Sequence, residues 1–196
     1  MKIIGITGGV GAGKSEVLRF IKDTYPCQIV LADDVGNKVK EPGEKCYEAL
    51  VELLGKDVLL QDGSFDRQAM ANAIFKDESV LKRVNDIIHP AVIEKIKEMV
   101  ADAAKTGQYD YYFIEAALLI ECGFLDYVDE MWYIYARPEV RRARLKEARG
   151  YSDEKIDYIM SSQLSDEEFR SNSDFVIDNS GELEDTYRQI RDKLLG

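Results

Sequence analysis

Lys2-Ile3-Ile4-Gly5-Ile6-Thr7-Gly8-Gly9-Val10-Gly11-Ala12-Gly13-Lys14-Ser15 is the stretch that decides the fold. Its first part is a strand-like apolar run, and the remainder fits the Gly-x-x-x-x-Gly-Lys-Ser pattern of a phosphate-binding loop. A triphosphate has to be wrapped by backbone N–H groups, and glycines let the chain curl that closely because they carry no Cβ. The stretch therefore predicts a nucleoside triphosphate site at a strand-to-helix turn, with a flexible glycine turn as the alternative.

The side chains at the end of this loop have separate predicted roles. Lys14 is expected to reach the β- and γ-phosphates, and Ser15 is expected to offer its hydroxyl to Mg²⁺. The helix that begins here points its dipole and its free N–H groups at the anion. Its apolar positions follow helical spacing at Val17, Leu18, Phe20 and Ile21, and Tyr25-Pro26 is expected to stop it.

Composition limits the class of protein. The chain has 196 residues, enough for one domain with a subdomain or lid, and a formal net charge of −11, which argues against nucleic acid or an anionic membrane as the partner. Its 3 cysteines are widely spaced and fit neither a disulfide framework nor a zinc site. No apolar run is long enough for a membrane span. We expect a cytoplasmic protein with small-molecule partners; the sequence leaves the oligomeric state open, and we favour a monomer.

The order of predicted elements indicates the architecture. Apolar strand-like runs at 3–7, 29–32, 109–115, 131–136 and 175–177 alternate with helical patterns, which predicts a parallel sheet with helices on both faces. The fold class is therefore α/β, a P-loop NTPase fold. We expect a single kinase-like domain with a core at about 1–33, 108–136 and 173–196, a helical substrate subdomain at about 34–107, and a lid at about 137–172.

Two carboxylates follow predicted strands. Asp33 comes after the second strand, where it could orient an acceptor hydroxyl in phosphoryl transfer or could simply cap the next helix. Glu115 ends the third strand, as an acid does in a Walker-B strand, so it is a candidate for holding Mg²⁺ through water. Its alternative role is solubility or capping, and Glu121 could equally be an exposed helix residue.

The segment after residue 137 is rich in arginine. Guanidinium groups suit phosphate oxygens, and on a helix Arg141 and Arg144 would share one face. A solvated helix with many salt bridges is the alternative for this segment. His89, the only histidine, precedes Pro90 and is expected at a turn or just before a helix that begins with proline. We favour substrate contact or packing for it over catalysis.

Several separated segments together resemble the dephospho-coenzyme A kinase family, in order and across nearly the whole chain. They are the phosphate loop, Ala32-Asp33, Val39-Lys40-Glu41-Pro42-Gly43, Asp62-Gly63, Ile74-Phe75, His89-Pro90, Leu118-Leu119-Ile120-Glu121, Gln163 and Asp174-Phe175-Val176-Ile177-Asp178-Asn179. The Pro-Gly turn, the His-Pro pair and the closing segment are the more particular of these.

The resemblance implies transfer of the γ-phosphoryl group of ATP to the ribose 3′-hydroxyl of dephospho-coenzyme A, with Mg²⁺ as cofactor. Catalytic roles then fall to Asp33, Lys14 and Arg144, metal binding to Ser15 and Glu115, and substrate binding to Asp33, His89 and Leu118. The ATP site would comprise Gly8, Gly9, Val10, Gly11, Ala12, Gly13, Lys14, Ser15, Glu16, Arg141 and Asn179.

Departures from the family pattern cluster on the acceptor side. Leu31 stands where the family reads aspartate, Asn37 where it reads arginine, and Ala117 where it reads proline. Glu16 replaces a threonine and so brings a carboxylate toward the α-phosphate. Two other hypotheses therefore stand beside the main one: a related kinase acting on another nucleotide such as a nucleoside monophosphate, and a non-catalytic nucleotide-binding regulator.

Overall fold

A computed structural model gives the structure of the chain, and it describes residues 1–75, 77–116, 119–120 and 123–195, without the side chains of Phe75 and Glu78. The strands are β1 (Lys2–Thr7), β2 (Cys27–Leu31), β3 (Tyr111–Glu115), β4 (Glu130–Tyr135) and β5 (Phe175–Asp178). The helices are α1 (Lys14–Thr24), α2 (Ala32–Lys38), α3 (Tyr47–Leu54), α4 (Arg67–Phe75), α5 (Glu78–Thr106), α6 (Pro138–Arg149), α7 (Asp153–Ser161), α8 (Asp166–Ser171) and α9 (Leu183–Leu195). A short 3-10 helix covers Lys56–Val58.

The strands form one sheet in the order β2-β3-β1-β4-β5. The register is parallel on both sides of β1, where Ile6 lies opposite Glu115 of β3 and opposite Trp132 of β4. Strand β1 therefore lies at the centre, and the loop that follows it leaves from the carboxyl edge of the sheet, where ligands bind in open α/β folds. The predicted α/β P-loop fold is confirmed, and each predicted strand agrees with an observed one to within two residues.

The core lies between this sheet and helices α1 and α9. It is made of apolar side chains that the short strands and the amphipathic helices bury together: Ile4, Ile6, Ala12, Val17, Leu18, Ile21, Phe113, Trp132, Ile134, Ala136, Ile177 and Ile190. Burial of one such large side chain contributes on the order of 1.5–3 kcal/mol. The core thus fixes the end of β1 and the start of α1, and with them the position of the loop between.

Two aspartates fix where the central strands begin. Asp129 Oδ2 accepts a hydrogen bond from the Ile3 N–H at 2.7 Å, and Asp174 Oδ2 accepts one from the Met131 N–H at 2.7 Å. Each acid also bonds through its own backbone N–H to the carbonyl of the same partner residue. These paired contacts satisfy strand-end groups that have no ladder partner, and they set the register of β1 and β4.

The chain forms two compact units. The first unit comprises Met1–Ile29 and Ala103–Gly196, and it holds most of the sheet, the phosphate-binding loop and helices α6 to α9. The second unit is Val30–Asp102, which overlaps the helical subdomain predicted at 34–107 and also includes Asp33. Its buried side chains include Leu50, Val84 and Ile96.

The long helix α5 corrects the prediction for His89-Pro90. A turn or a helix start was expected there, but Pro90 lies inside α5. Proline in a helix interior removes a hydrogen bond and costs about 3 kcal/mol. The burial of Val84, Ala91, Val92, Ile96 and Val100 continues through the proline, and it outweighs that cost.

Within the described residues, none of the helices is both long enough and apolar enough to cross a membrane.

Candidate active site

The phosphate-binding loop, residues 8–15, joins β1 to α1 as the sequence predicts. Two of its glycines are required by its geometry. Gly8 has a φ of +147°, and a Cβ there would lie 2.5 Å from the Ile134 carbonyl oxygen. Gly13 has a φ of +92°, and a Cβ there would collide with the side-chain amide of Asn179. A side chain at either position would push the loop away from these neighbours. Glycine therefore allows the tight curl that phosphate binding needs.

The loop presents backbone N–H groups without partners. Among the residues that the structure describes, the N–H groups of Gly11, Gly13, Lys14 and Ser15 donate no hydrogen bond to protein. Gly13 caps α1 and Lys14 and Ser15 begin it, so these three N–H groups lie where the helix dipole also favours negative charge. Unsatisfied donors grouped in one loop in this way form an anion-binding cradle.

Lys14 and Glu115 meet beside this cradle. The Lys14 ammonium donates to the Gly8 carbonyl oxygen at 2.9 Å and lies 3.5 Å from Glu115 Oε1, and both side chains are about 15% exposed. The parallel register brings them together, because Glu115 ends β3 opposite Ile6 of β1. The pairing of β3 with β1 therefore places Glu115 next to the phosphate-binding loop, as an acid lies in a Walker-B strand.

The Ala12 carbonyl group of the loop is held from outside by Arg144 of α6 and by Asn179, which follows β5. Arg144 donates to the Ala12 carbonyl oxygen at 3.3 Å and to the Asn179 carbonyl oxygen at 2.9 Å. The Asn179 side-chain amide also donates to Ala12 O, at 2.8 Å. The hydroxyl of Thr186 fixes the other side of that amide by donating to its oxygen at 2.9 Å, and both residues are buried.

Arg141 and Gln163 hold the loop at Val10. The Arg141 Nε donates to the Val10 carbonyl oxygen at 2.9 Å, while Gln163 Oε1 accepts from the Val10 N–H at 3.1 Å and from Arg141 at 2.7 Å. Val10 is thus bound at both of its backbone polar groups. Burial lowers the pKa of the Arg141 guanidinium, which stays protonated because its ordinary pKa is above 12.

The arginine-rich segment therefore divides into two groups. Arg141 and Arg144, which share one face of α6, contact the loop, whereas Arg142 forms ion pairs with Asp153 and Asp157 of α7. Lys146 also pairs with Asp153, at 2.7 Å. Arg141 and Arg144 therefore bind backbone carbonyls of the loop, and the salt-bridge interpretation is confirmed for Arg142 and Lys146.

Glu16 makes contacts that the sequence did not suggest. Its carboxylate accepts hydrogen bonds from the Tyr187 hydroxyl and from Arg19, and the Tyr187 contact is the largest cause that lowers the pKa of Glu16. The Tyr187 ring stacks on Phe20 with centroids 4.0 Å apart. The carboxylate is therefore tied to α9 in this structure.

The second unit carries two further predicted residues, Asp33 and His89. Asp33 is the second residue of α2 and is exposed, and the cap of this helix is Leu31 without a side-chain hydrogen bond. The interpretation of Asp33 as a helix cap is therefore wrong, since the helix begins one residue earlier. His89 is half-buried inside α5. Leu118, a predicted substrate contact, lies outside the described residues, as do Ala117 and Glu121.

Hard oxygen donors are the groups near the loop that suit a divalent cation. The Ser15 side chain is exposed and the Glu115 carboxylate lies next to Lys14. In the described part of the chain no group of three or more His, Cys, Asp or Glu side chains could hold a metal. A pair of oxygen donors fits Mg²⁺, which keeps several waters and takes phosphate oxygens as ligands.

Comparison with known proteins points in one direction. A family model described as dephospho-CoA kinase matches residues 2–185. A dephospho-CoA kinase from Geobacter sulfurreducens is 34% identical over 192 residues, which is 98% of this chain and 96% of that protein. A crystal structure of a Thermus thermophilus protein has a TM-score of 0.82 at 29% identity, covering 99% of this chain and 96% of that one. A dephospho-CoA kinase structure from Campylobacter jejuni, at 20% identity and a TM-score of 0.74, shares the fold and covers 100% of this chain and 96% of its own.

Proposed function

Because this chain belongs to the dephospho-CoA kinase family, we propose that it transfers the γ-phosphoryl group of ATP to the ribose 3′-hydroxyl of dephospho-CoA. The products are CoA and ADP, as in the last step of CoA biosynthesis. The substrates are small molecules, and the free thiols of Cys27 and Cys46 support a reducing compartment, for which we propose the cytoplasm.

The main observation in favour of ATP as the phosphoryl donor is the set of loop N–H groups that donate no hydrogen bond within the described residues. Four such groups beside the Lys14 ammonium match the negative charge of a triphosphate. Phosphoryl transfer needs little covalent chemistry from the protein, so positioning and charge stabilisation supply the rate. Lys14 would neutralise charge between the β- and γ-phosphates, where its ammonium would exchange the Gly8 carbonyl for phosphate oxygens.

Arg144 and Arg141 support the same step through the loop. Their hydrogen bonds to Ala12 and Val10 fix the loop carbonyls, and a guanidinium so close to the cradle lowers the electrostatic cost of a triphosphate. We propose that Arg144 also stabilises the charge of the transferring group. Asn179 would act through Ala12, since its side chain is occupied by the loop and by Thr186.

Ser15 and Glu115 would hold Mg²⁺ in this proposal, Ser15 directly and Glu115 through water. When bound, the ion neutralises charge on the phosphate oxygens and orients them. Glu115 has a second role in holding the Lys14 ammonium at 3.5 Å.

Asp33 would accept or orient the proton of the acceptor hydroxyl. It is exposed at the first turn of α2, and its carboxylate makes no cap contact, so it is available to a substrate group. His89 would contact the acceptor or support α5 by packing. Leu118 keeps its proposed place in acceptor binding on sequence grounds alone.

The test is an ADP-release assay with Mg-ATP and purified protein. Dephospho-CoA is compared with CMP, UMP, AMP and no acceptor, and the products are identified by mass. Lys14→Met is the matched negative control for the loop. We expect phosphorylation of dephospho-CoA alone; transfer only to a nucleoside monophosphate would replace this acceptor, and ATP binding without any transfer would favour a regulator.

A further inference from the structure

Glu16 lies where a carboxylate can reach back over the start of its own helix. Gly13 is the cap residue of α1, so Glu16 is the third residue of that helix. A glutamate at this place can accept a hydrogen bond from the backbone N–H of the cap residue, as in a capping box. The N–H groups at this helix start are those of the phosphate-binding loop, and the dipole of α1 also attracts negative charge to them. The Glu16 carboxylate and a phosphate group can therefore compete for the same donors.

Helix α8 shows such a contact in the same chain. Its cap is Ser165, whose N–H donates at 2.8 Å to the carboxylate of Glu168, the third residue of α8. The Glu16 carboxylate has the equivalent place in α1, but within the described residues it accepts no hydrogen bond from the loop. The backbone is left-handed at Gly13 and extended at Ser165, so in α1 the competition concerns the loop N–H groups as a set.

Two side chains hold the Glu16 carboxylate instead. The Tyr187 hydroxyl and the Arg19 guanidinium both donate to Glu16 Oε1, the guanidinium at 2.5 Å. The Tyr187 contact is the largest cause that lowers the pKa of Glu16, so the carboxylate stays ionised at neutral pH. Arg19 is an exposed residue of α1 itself, whereas Tyr187 belongs to α9. The hydroxyl of Tyr187 is therefore the contact that reaches Glu16 from another helix.

Packing fixes the ring of Tyr187 independently of its hydroxyl. The ring stacks on Phe20, with the centroids 4.0 Å apart and the planes within 8° of parallel. Phe20 lies one helical turn after Glu16, so both side chains lie on one face of α1. The stacked ring therefore brings its hydroxyl to Glu16, and removal of the hydroxyl alone would leave this packing in place.

We infer that Tyr187 is a positioning residue that keeps the Glu16 carboxylate off the phosphate-binding loop. Without the hydroxyl, the carboxylate would turn toward the loop N–H groups and would compete with the triphosphate of ATP. Tyr187 thus acts through Glu16 and contacts no substrate. This inference rests on the proposed function in one point, that the loop binds the phosphates of ATP, and it does not depend on the acceptor.

The first test compares two tyrosines that both contact α9 or belong to it. Tyr187→Phe removes the hydroxyl and keeps the ring on Phe20, and we expect the Kd for Mg-ATP, measured by calorimetry, to rise roughly tenfold because an internal hydrogen bond now competes. Tyr111→Phe is the matched control, since the Tyr111 hydroxyl holds α9 by donating to the Leu194 carbonyl oxygen at 3.1 Å. It should bind Mg-ATP as the wild type does. Equal Kd values for the two variants would overturn the inference.

The second test asks whether the effect of Tyr187 depends on Glu16. In a Glu16→Ala background the carboxylate is absent, so adding Tyr187→Phe should change the Kd for Mg-ATP by less than about twofold. A tenfold loss that persists in this background would show that Tyr187 supports the loop in another way, and the inference would be wrong.

Amide hydrogen exchange separates this inference from the proposed function, because it needs no nucleotide. In nucleotide-free Tyr187→Phe we expect slower exchange than in the wild type at one or more of the amides of Gly13, Lys14 and Ser15, since the carboxylate now accepts from them. The slowing should disappear when Glu16→Ala is added. Unchanged or faster exchange at all three amides contradicts the inference. Slower exchange in a protein that does not phosphorylate dephospho-CoA would support the inference and refute the proposed function.

Discussion

Asp33 is the residue on which the proposed reaction depends most. Asp33→Asn keeps the shape of the side chain but removes its capacity to accept a proton, so kcat should fall by roughly 10²–10⁴-fold. The KM for ATP and the melting temperature should stay unchanged, because Asp33 is exposed and caps nothing. The neighbouring Asp34→Asn, also exposed in the first turn of α2, is the matched control in a steady-state assay. Full activity of Asp33→Asn would remove the proposed base.

Gln163 is predicted to act through the loop rather than on a substrate. Gln163→Ala frees both the Val10 N–H and one donor of Arg141, so the loop loses part of its support. We expect the KM for ATP to rise roughly tenfold, in line with a hydrogen bond of about 1.4 kcal/mol, and the KM for the acceptor to stay within about twofold. Kinetics with each substrate varied in turn would measure both values.

The control for this prediction is Gln68→Ala. Gln68 is exposed on α4 and contacts Asn72 on the same helix. Its replacement should change neither KM. Equal effects of the two glutamine variants, or a rise of both KM values together for Gln163→Ala, would show that Gln163 does not position the loop.

The sequence predicts those site residues that belong to a short motif or to the end of one strand. Lys14 and Ser15 follow from one motif, and Glu115 follows from its place at the end of an apolar strand. The contacts of Arg141 and Asn179 with the loop could not be predicted, because they join residues 131 and 167 positions apart. Sequence periodicity does not predict contacts between residues so far apart in the chain. The order of the strands in the sheet brings these residues to the loop.

Helix α5 continues through Pro90, although proline normally interrupts a helix. Pro90→Ala supplies an N–H where the helix lacks one and removes the ring clash, so the free energy of unfolding should rise by about 1–3 kcal/mol. Urea denaturation followed by circular dichroism measures the change. Pro138→Ala is the control, because Pro138 begins α6, where proline is well tolerated, and it should bring no gain. A loss of stability in Pro90→Ala would contradict a continuous α5.

The strands and the helix boundaries differ in how well they could be predicted. Strands buried on both faces are continuously apolar, and so the central ones were visible in the sequence. The start of α2 could not be predicted, because Leu31 caps it without a side-chain hydrogen bond and the acids that follow resemble capping residues themselves. Helix ends without a capping side chain carry little sequence signal.

At the scale of the whole molecule, Glu130 of β4 links strand β1 and helix α9. Its carboxylate accepts hydrogen bonds from Lys2 at 2.7 Å, from Trp132 at 2.8 Å and from Lys193 at 3.2 Å. Burial raises the pKa of Glu130, but these three partners outweigh it and lower the pKa from 4.5 to about 2. The charged form of Glu130 is therefore more strongly favoured in the folded state than in the unfolded state.

The sign of the pH dependence follows from that lowered pKa. The stabilisation is fully present above about pH 4.5 and is lost as the pH falls toward 2. Glu130→Gln should cost on the order of 2–3 kcal/mol at pH 7, with the difference from wild type closing near pH 2. Urea midpoints at pH 7, 4 and 2.5 would measure it, with the exposed Glu139→Gln as control. A difference that does not depend on pH would mean that packing, not charge, explains the loss.

The phosphate-binding loop is synthesised long before the residues that hold it in place. The loop occupies residues 8–15 and leaves the ribosome well before the side chains that hold it, which are Arg141, Arg144, Gln163 and Asn179. Contacts of such high contact order form late in folding. A nascent chain that stops before Asn179 therefore cannot hold the loop as the finished protein does, and ATP binding becomes an indicator that the last strand has joined the sheet.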